Sequence, residues 1–407
     1  MLKFFKRTLL VLLVIIIAGN LFILLTGRQY LYKGIWNTYL KGRSGPSALE
    51  YGIFANRRVD NGKPQPWPVG KDYNTKEIPA ATLKEITELK TGAFLVISND
   101  SLRYEKYWGE FSDRSYSNSF SMAKTVVSIL VGCAIADGHI KSIDQPVHDF
   151  LPEYKNGELA KVTIKHLVIM SSAIAFNEDY VNPLAYPAES YYGSNLCDLT
   201  MAYQSVRGDP GVLFDYQSGN TQLLGFVLKK ATGKTVADYA SEKLWIPMGA
   251  EKPAFWSLDH ENGDEKAFCC LNSNARDFAR IGKLYLDSGR WSFPGDPVAK
   301  QLVPEDYVLR SVLPTGTCRA DKSPCVDYGY SWWMIPEYKG HFIFYARGIL
   351  GQYIFVIPGM KMVIVRLGEG RLPNGIHGFP EDIPYYLDAA LAMYGEGSHG
   401  FSRINAD

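Results

Sequence analysis

Ser121 and Lys124, three positions apart at the start of an apolar run, are the residues of this sequence best suited to covalent chemistry. Spacing of i, i+3 puts both on one helix face, within reach of each other. A serine hydroxyl is a weak nucleophile until a neighbour takes its proton, and a partly desolvated lysine can do that. Backbone N–H groups at the helix start would add donors for a developing oxyanion. Taken alone, the motif reads more readily as a helix N-cap at Ser121.

A second segment, Pro210-Gly211-Val212-Leu213-Phe214-Asp215-Tyr216-Gln217-Ser218, has a Pro-Gly turn that delivers Tyr216 just before a helix. A tyrosine beside an ammonium can have a lowered pKa and pass protons to and from Ser121. In isolation it reads as an aromatic packing at a helix start. The Ser218 hydroxyl is a candidate partner for Lys124. A third segment, Ala346-Arg347-Gly348-Ile349-Leu350-Gly351-Gln352, is a glycine-bearing strand whose backbone can approach a ligand closely. Gly348, Ile349 and Gln352 are its candidate oxyanion and substrate-binding residues. The alternative is a bulged strand without a ligand. Arg347 is either a binding group for an acidic substrate or a solvated strand arginine.

Other chemistries find less support. No G-x-S-x-G elbow occurs, and Gly233-Lys234-Thr235 lacks the upstream glycine of a P-loop. The seven histidines, His166, His341 and His377 among them, show no ligand spacing, although His377 follows the last strands and could approach the cleft. Neither a metal nor a cofactor is expected. A net charge of +1 without like-charge blocks argues against nucleic acid as a partner.

The elements that must position these residues come in a telling order. Helical spacing covers 82–89; 93–97 and 102–107 read as a hairpin around Ser98-Asn99-Asp100. A helix is expected over 121–137, stopping at Gly138, then helices over 164–170, 222–231, 236–244 and 274–288. Strand patterns return at 329–334, 342–346, 352–357 and 362–366, and a last helix spans 382–393. Strands, helices, strands and a helix predict an α+β fold, an antiparallel sheet flanked by helices with a large all-helical lobe inserted and a cleft between the two.

At the N-terminus, Lys3, Lys6 and Arg7 precede an apolar run beginning at Leu9. Ending at Leu25, it is at the short end of what spans a bilayer, and the leading positive charge favours an exported body. A cleaved signal peptide is the rival reading. The expected division is a cytoplasmic 1–8, a transmembrane anchor over 9–27 and a Gly/Pro-rich spacer over 28–80. A hydrolase domain follows over 81–400, with a sheet lobe at 81–120 and 290–400 and a helical lobe at 121–289. Of six cysteines, Cys318 and Cys325 bracket a loop and are a plausible disulfide. Cys269 or Cys270 could pair with Cys197, and Cys133 reads as a buried small hydrophobe.

Together and in this order, the three segments resemble the serine β-lactamase and penicillin-binding-protein superfamily. They are most similar to its class C-like branch with the esterases and 6-aminohexanoate-dimer hydrolases. Tyr216 stands nine positions before Gly225, as in that branch, and stretches such as Thr163-Ile164-Lys165-His166-Leu167 and Tyr328-Gly329-Tyr330 also match. The resemblance covers roughly 80–395. It implies a β-lactamase-like fold and an acyl-enzyme on Ser121, with Lys124 and Tyr216 moving protons. The backbone N–H groups of Ser121 and Ile349 would form the oxyanion hole. Two departures point away from antibiotics. Ala346-Arg347-Gly348 stands where Lys-Thr-Gly is usual, the literal Lys90-Thr91-Gly92 being in the wrong place, and Tyr216-Gln217-Ser218 replaces Tyr-x-Asn. A small linear ester or amide is the expected substrate. The alternatives are a D-Ala-D-Ala-type peptidase or β-lactamase, or a non-catalytic ligand sensor.

Overall fold

The structure is a computed structural model describing residues 1–395, apart from 294, 297, 376 and 377. His377 and the last residues of the expected 81–400 domain lie outside the described residues.

The chain opens with helix α1 (Leu2–Leu25), which a left-handed Gly27 separates from α2 (Tyr30–Asn37). Strand β1 (Asn56–Val59) and α3 (Ala80–Glu88) precede the hairpin β2 (Thr91–Ser98) and β3 (Ser101–Tyr107). Its two-residue turn puts Asn99 and Asp100 at φ of 49° and 60°, the geometry whose twist suits a tight hairpin. Next come β4 (Ser117–Asn118), α4 (Met122–Ala136), α5 (Ile164–Val168), α6 (Tyr186–Tyr192), α7 (Leu196–Met201), α8 (Ser218–Thr232) and α9 (Val236–Ala240). Then follow β5 (Ala254–Ser257), β6 (Leu271–Ser273), α10 (Ala275–Leu286), β7 (Arg290–Trp291), β8 (Lys300–Gln301) and α11 (Glu305–Ser311). The chain closes with β9 (Trp333–Tyr338), β10 (His341–Gly348), β11 (Gln352–Ile357), β12 (Met362–Gly368) and α12 (Ile383–Tyr394).

The main sheet is antiparallel in the order β3-β2-β12-β11-β10-β9, so the first and last parts of the chain pair through β2 and β12. Both faces are buried. Ala93, Leu95 and Ile97 of β2 join Val363 and Val365 of β12 in one core, while Phe94 and Val96 meet Ile364, Tyr386 and Leu387 in another. That is why these strands read as continuous apolar runs rather than as alternating ones. Strand β9 lies four residues later than expected, because Ser331 adopts φ of 60° and the 329–332 segment turns back on itself.

The expected lobes need two corrections. Helix α10 packs on the main sheet, where Gly282 lies so close to Val363 and Ile354 that a Cβ would clash, so it belongs to the sheet lobe. The inserted region is not all helical, because β4, β5 and β6 form a second sheet with β1 in the order β1-β5-β6-β4. Residues 28–80 are accordingly no spacer. β1 pairs with β5, Trp67 is buried and donates its indole N–H to the Arg276 carbonyl at 2.9 Å, and Tyr30 donates to the Pro183 carbonyl at 3.0 Å. The Gly and Pro residues punctuate this segment without unfolding it, since apolar anchors between them bury.

The cysteines also differ from expectation. Cys269 and Cys270 are bonded to each other, with Cys270 in the left-handed region, while Cys197, Cys318 and Cys325 are free. The Cys325 thiol faces Asp327 instead of Cys318. Cys133 is buried as expected, and burial pushes its thiol up to about 12. Lys266 is a fully buried lysine that no motif suggested. Its Nζ sits 3.5 Å from the Phe54 ring centroid and has no hydrogen-bond partner among the described residues.

Candidate active site

Ser121 caps the start of α4, directly after Phe120, whose φ of 44° turns the chain sharply into the helix. One turn further, Lys124 is buried and its Nζ lies 3.0 Å from Ser121 Oγ. It also lies 2.9 Å from the Phe268 carbonyl and 3.3 Å from Ser218 Oγ. As an ammonium, Lys124 donates to all three oxygens; once neutral, the amine can keep donating to Phe268 and Ser218 and accept from the Ser121 hydroxyl. Burial lowers the lysine to about 8, and the Glu178 charge opposes that fall.

The Phe268 carbonyl reaches Lys124 because α8 holds the 265–268 segment. Gln222 donates to the Glu265 carbonyl at 3.0 Å and accepts from the Ala267 N–H at 2.9 Å. Gly225 leaves room for Ala267, whose Cβ would lie 2.5 Å from a Cβ placed there. The glycine noted for its spacing from Tyr216 therefore works by close approach.

Tyr216 arrives as the sequence implied. Gly211 turns with φ of 89°, a shape left to glycine here because a Cβ would strike His166, and the Asp215 N–H donates to the Met170 carbonyl. The Tyr216 ring packs on Tyr328 and Trp333, and Lys124 Nζ sits 5.2 Å from its centroid. Its pKa departs from expectation. Burial pushes the phenol up to about 12, while a hydrogen bond with Ser121 and the Arg347 charge pull the other way. Tyr216 is therefore a phenol at neutral pH, and the group nearer to neutrality is Lys124.

On the opposite wall, Gly348 ends β10 against the backbone before Ser121, where a Cβ would lie 2.3 Å from the Ser119 carbonyl oxygen. The 349–351 turn follows, and Ile349 lines the same cavity as Ser121 and Ser218. Gln352 does not face the cavity. It is buried, donates to the carbonyls of Gly368 at 2.6 Å and Ile349 at 3.3 Å, and accepts from the Gly368 N–H. Arg366, which no motif pointed to, donates to the carbonyls of Leu350 at 2.6 Å and Gly351 at 2.7 Å. All three carbonyls of the turn are thus held by side chains of β11 and β12. The substrate-binding expectation for Gln352 gives way to a supporting role, because its position in β11 turns it toward β12.

Arg347 is not a solvated strand arginine: its guanidinium stacks 3.8 Å from the Trp333 ring centroid, and Nη1 is buried without a hydrogen-bond partner among the described residues. Tyr180 is a second cleft residue that sequence reasoning missed, since it sits in a loop without periodicity. Its hydroxyl lies 3.3 Å from Ser218 Oγ and donates to Glu178 at 2.8 Å. Thr91 of the misplaced Lys90-Thr91-Gly92 bonds Tyr386 inside the core, away from Ser121. His166 bonds the Thr163 N–H as part of a helix cap. Among the described residues no cluster of His, Cys, Asp or Glu could hold a metal.

Comparison with known proteins agrees with this fold. The chain is 28% identical over 327 residues to the 6-aminohexanoate-dimer hydrolase of Paenarthrobacter ureafaciens, covering 76% of this chain and 80% of that protein. A Bacillus anthracis structure provisionally described as a 6-aminohexanoate-dimer hydrolase superposes with a TM-score of 0.70 at 22% identity, covering 85% of this chain and 92% of the other. The penicillin-binding protein homologue of Pyrococcus abyssi does so with a TM-score of 0.59 at 19% identity, covering 77% and 76%. The Beta-lactamase family model matches residues 80–378, well over half of the chain, and the chain belongs to the beta-lactamase family.

Proposed function

We propose that this serine hydrolase of the β-lactamase fold cleaves a small ester or amide through an acyl-enzyme on Ser121. The observation that carries the reading is the buried Lys124 amine 3.0 Å from Ser121 Oγ, with its pKa lowered to about 8 by that burial. Neutral Lys124 takes the proton as Ser121 Oγ attacks the carbonyl carbon. The N–H groups of Ser121, in a first helical turn where they lack intrahelical acceptors, and of Ile349 receive the oxyanion. Tyr216, kept as a phenol, relays a proton from Lys124 to the departing alkoxide or amine. Water then attacks the acyl-enzyme with Lys124 again accepting the proton, and that proton returns to Ser121 Oγ as its bond to the acyl carbon breaks and the acid leaves.

An amide is the favoured bond, because the similarity to the aminohexanoate-dimer hydrolase spans most of both chains. Ala346 stands where the lysine is usual in β-lactamases, and the neighbouring Arg347 is committed to Trp333, which argues against a β-lactam or D-Ala-D-Ala substrate. The intact Ser121, Lys124 and Tyr216 set argues against a bare sensor. Helix α1, long and apolar enough to cross a membrane and carrying Lys3, Lys6 and Arg7 in its first two turns, would hold the catalytic body on the extracytoplasmic side.

The test is turnover of p-nitrophenyl acetate and of the linear 6-aminohexanoate dimer by wild type, Ser121→Ala and Lys124→Ala. The expected loss is complete for Ser121→Ala and roughly 10²-fold or more for Lys124→Ala. Undiminished turnover in either variant would remove that residue from the mechanism.

A further inference from the structure

The cavity holding Ser121 extends much further than a small acyl group requires. It has a volume of about 450 Å³, and its far wall is built from α2 and the residues after it, among them Leu31, Gly34, Ile35, Thr38 and Tyr39. Helix α2 is seated firmly: a Cβ on Gly34 would lie 3.3 Å from the Tyr192 ring, and Tyr30 bonds the Pro183 carbonyl. It begins five residues after the end of α1, whose apolar side chains are exposed along nearly their whole length.

The cavity mouth continues that apolar surface. Ile35 and Tyr39 on one side and Val181 on the other line the cavity and are also 41%, 69% and 92% exposed. Trp36 and Leu40, their neighbours on the outer surface, are 64% and 67% exposed. An aromatic and aliphatic rim of this kind is costly in water and suits the headgroup boundary of a bilayer, where Trp and Tyr side chains settle. The exposed side chains of α1 need an apolar solvent of their own, and the short link between α1 and α2 puts the mouth beside that solvent.

We propose that the cleft draws its substrate from the bilayer. The substrate is an amphiphilic ester or amide whose alkyl chain lies between α2 and the 180–187 segment while its carbonyl reaches Ser121. This rests on the hydrolase reading above and adds the substrate class and the route by which it arrives.

The full chain is reconstituted in phosphatidylethanolamine/phosphatidylglycerol vesicles and assayed with p-nitrophenyl acetate and p-nitrophenyl decanoate, which share a leaving group and differ in chain length. The expected kcat/KM ratio, decanoate over acetate, is at least tenfold. Ile35→Asp and, independently, Val181→Asp on the facing side of the mouth each bring it at least fivefold closer to one. Both positions are exposed on the protein, so a carboxylate there is not buried by the fold. A ratio at or below one in wild type, or one that neither variant changes, overturns the proposal. Loss of Ser121-dependent acetate hydrolysis in wild type would instead strike the hydrolase reading, so the two failures are distinguishable.

Discussion

The buried lysine makes a quantitative prediction about pH. Lowering Lys124 from 10.5 to about 8 corresponds to about 3 kcal/mol against its ammonium form. An unperturbed lysine would be neutral in only about 0.03% of molecules at pH 7, whereas Lys124 is neutral in roughly one in ten. In the proposed mechanism the neutral form accepts the Ser121 proton, so kcat/KM should rise with pH, roughly tenfold between pH 7 and pH 9, and level off above. Glu178 sharpens the test, since its charge favours the ammonium. Glu178→Gln should move the rising limb to lower pH, the direction opposite to that expected of a general loss of structure. The assay is kcat/KM for a soluble p-nitrophenyl ester between pH 5.5 and 10, corrected for spontaneous hydrolysis. A profile flat from pH 6 to 9.5, or a midpoint near 10.5, would refute the assignment of Lys124 as a desolvated base.

Other predictions concern the supports of the site. Lys266→Met removes a buried, unpartnered amine whose pKa burial depresses well below normal, and should stabilise the protein by about 1–3 kcal/mol at pH 7 in denaturant titration. In wild type the unfolded chain binds more protons at this site between the folded pKa and 10.5. Stability should therefore rise with pH across that window, a slope that Lys266→Met reduces. Gly348→Ala forces a Cβ against the Ser119 carbonyl and should cost about 1–3 kcal/mol in thermal unfolding, with a fall in kcat from the displaced nucleophile. Gln352→Leu strips partners from Gly368 and Ile349 and should lower kcat more than it raises KM, at a stability cost of about 2–4 kcal/mol. A purely structural Gln352 would leave kcat of the folded fraction unchanged.

The parts of this molecule legible in the sequence are those written in local patterns. Helix α4 with Ser121 and Lys124, the hairpin β2–β3 and the strands β10 to β12 follow from spacing within short windows, as does the turn before Tyr216. Contacts that join distant segments left no such trace. The Phe268 carbonyl reaches Lys124 from 144 positions away, and the Arg366 guanidinium holds a turn that spacing alone assigned to no partner. The Gln352 error has the same origin: strand periodicity says that neighbours face opposite ways without saying which face meets the cleft. Residues 28–80 misled because they are rich in Gly, Pro, Asn and charged residues, whereas a few buried anchors, Val59 and Trp67 among them, decide their structure.

The most direct measurement of the central claim is intact-mass analysis, with peptide mapping, after reaction with a fluorophosphonate. A single adduct on Ser121 is predicted, forming faster at pH 9 than at pH 7 and absent from Ser121→Ala. An adduct on another residue, or equal labelling of Ser121→Ala, would contradict the account.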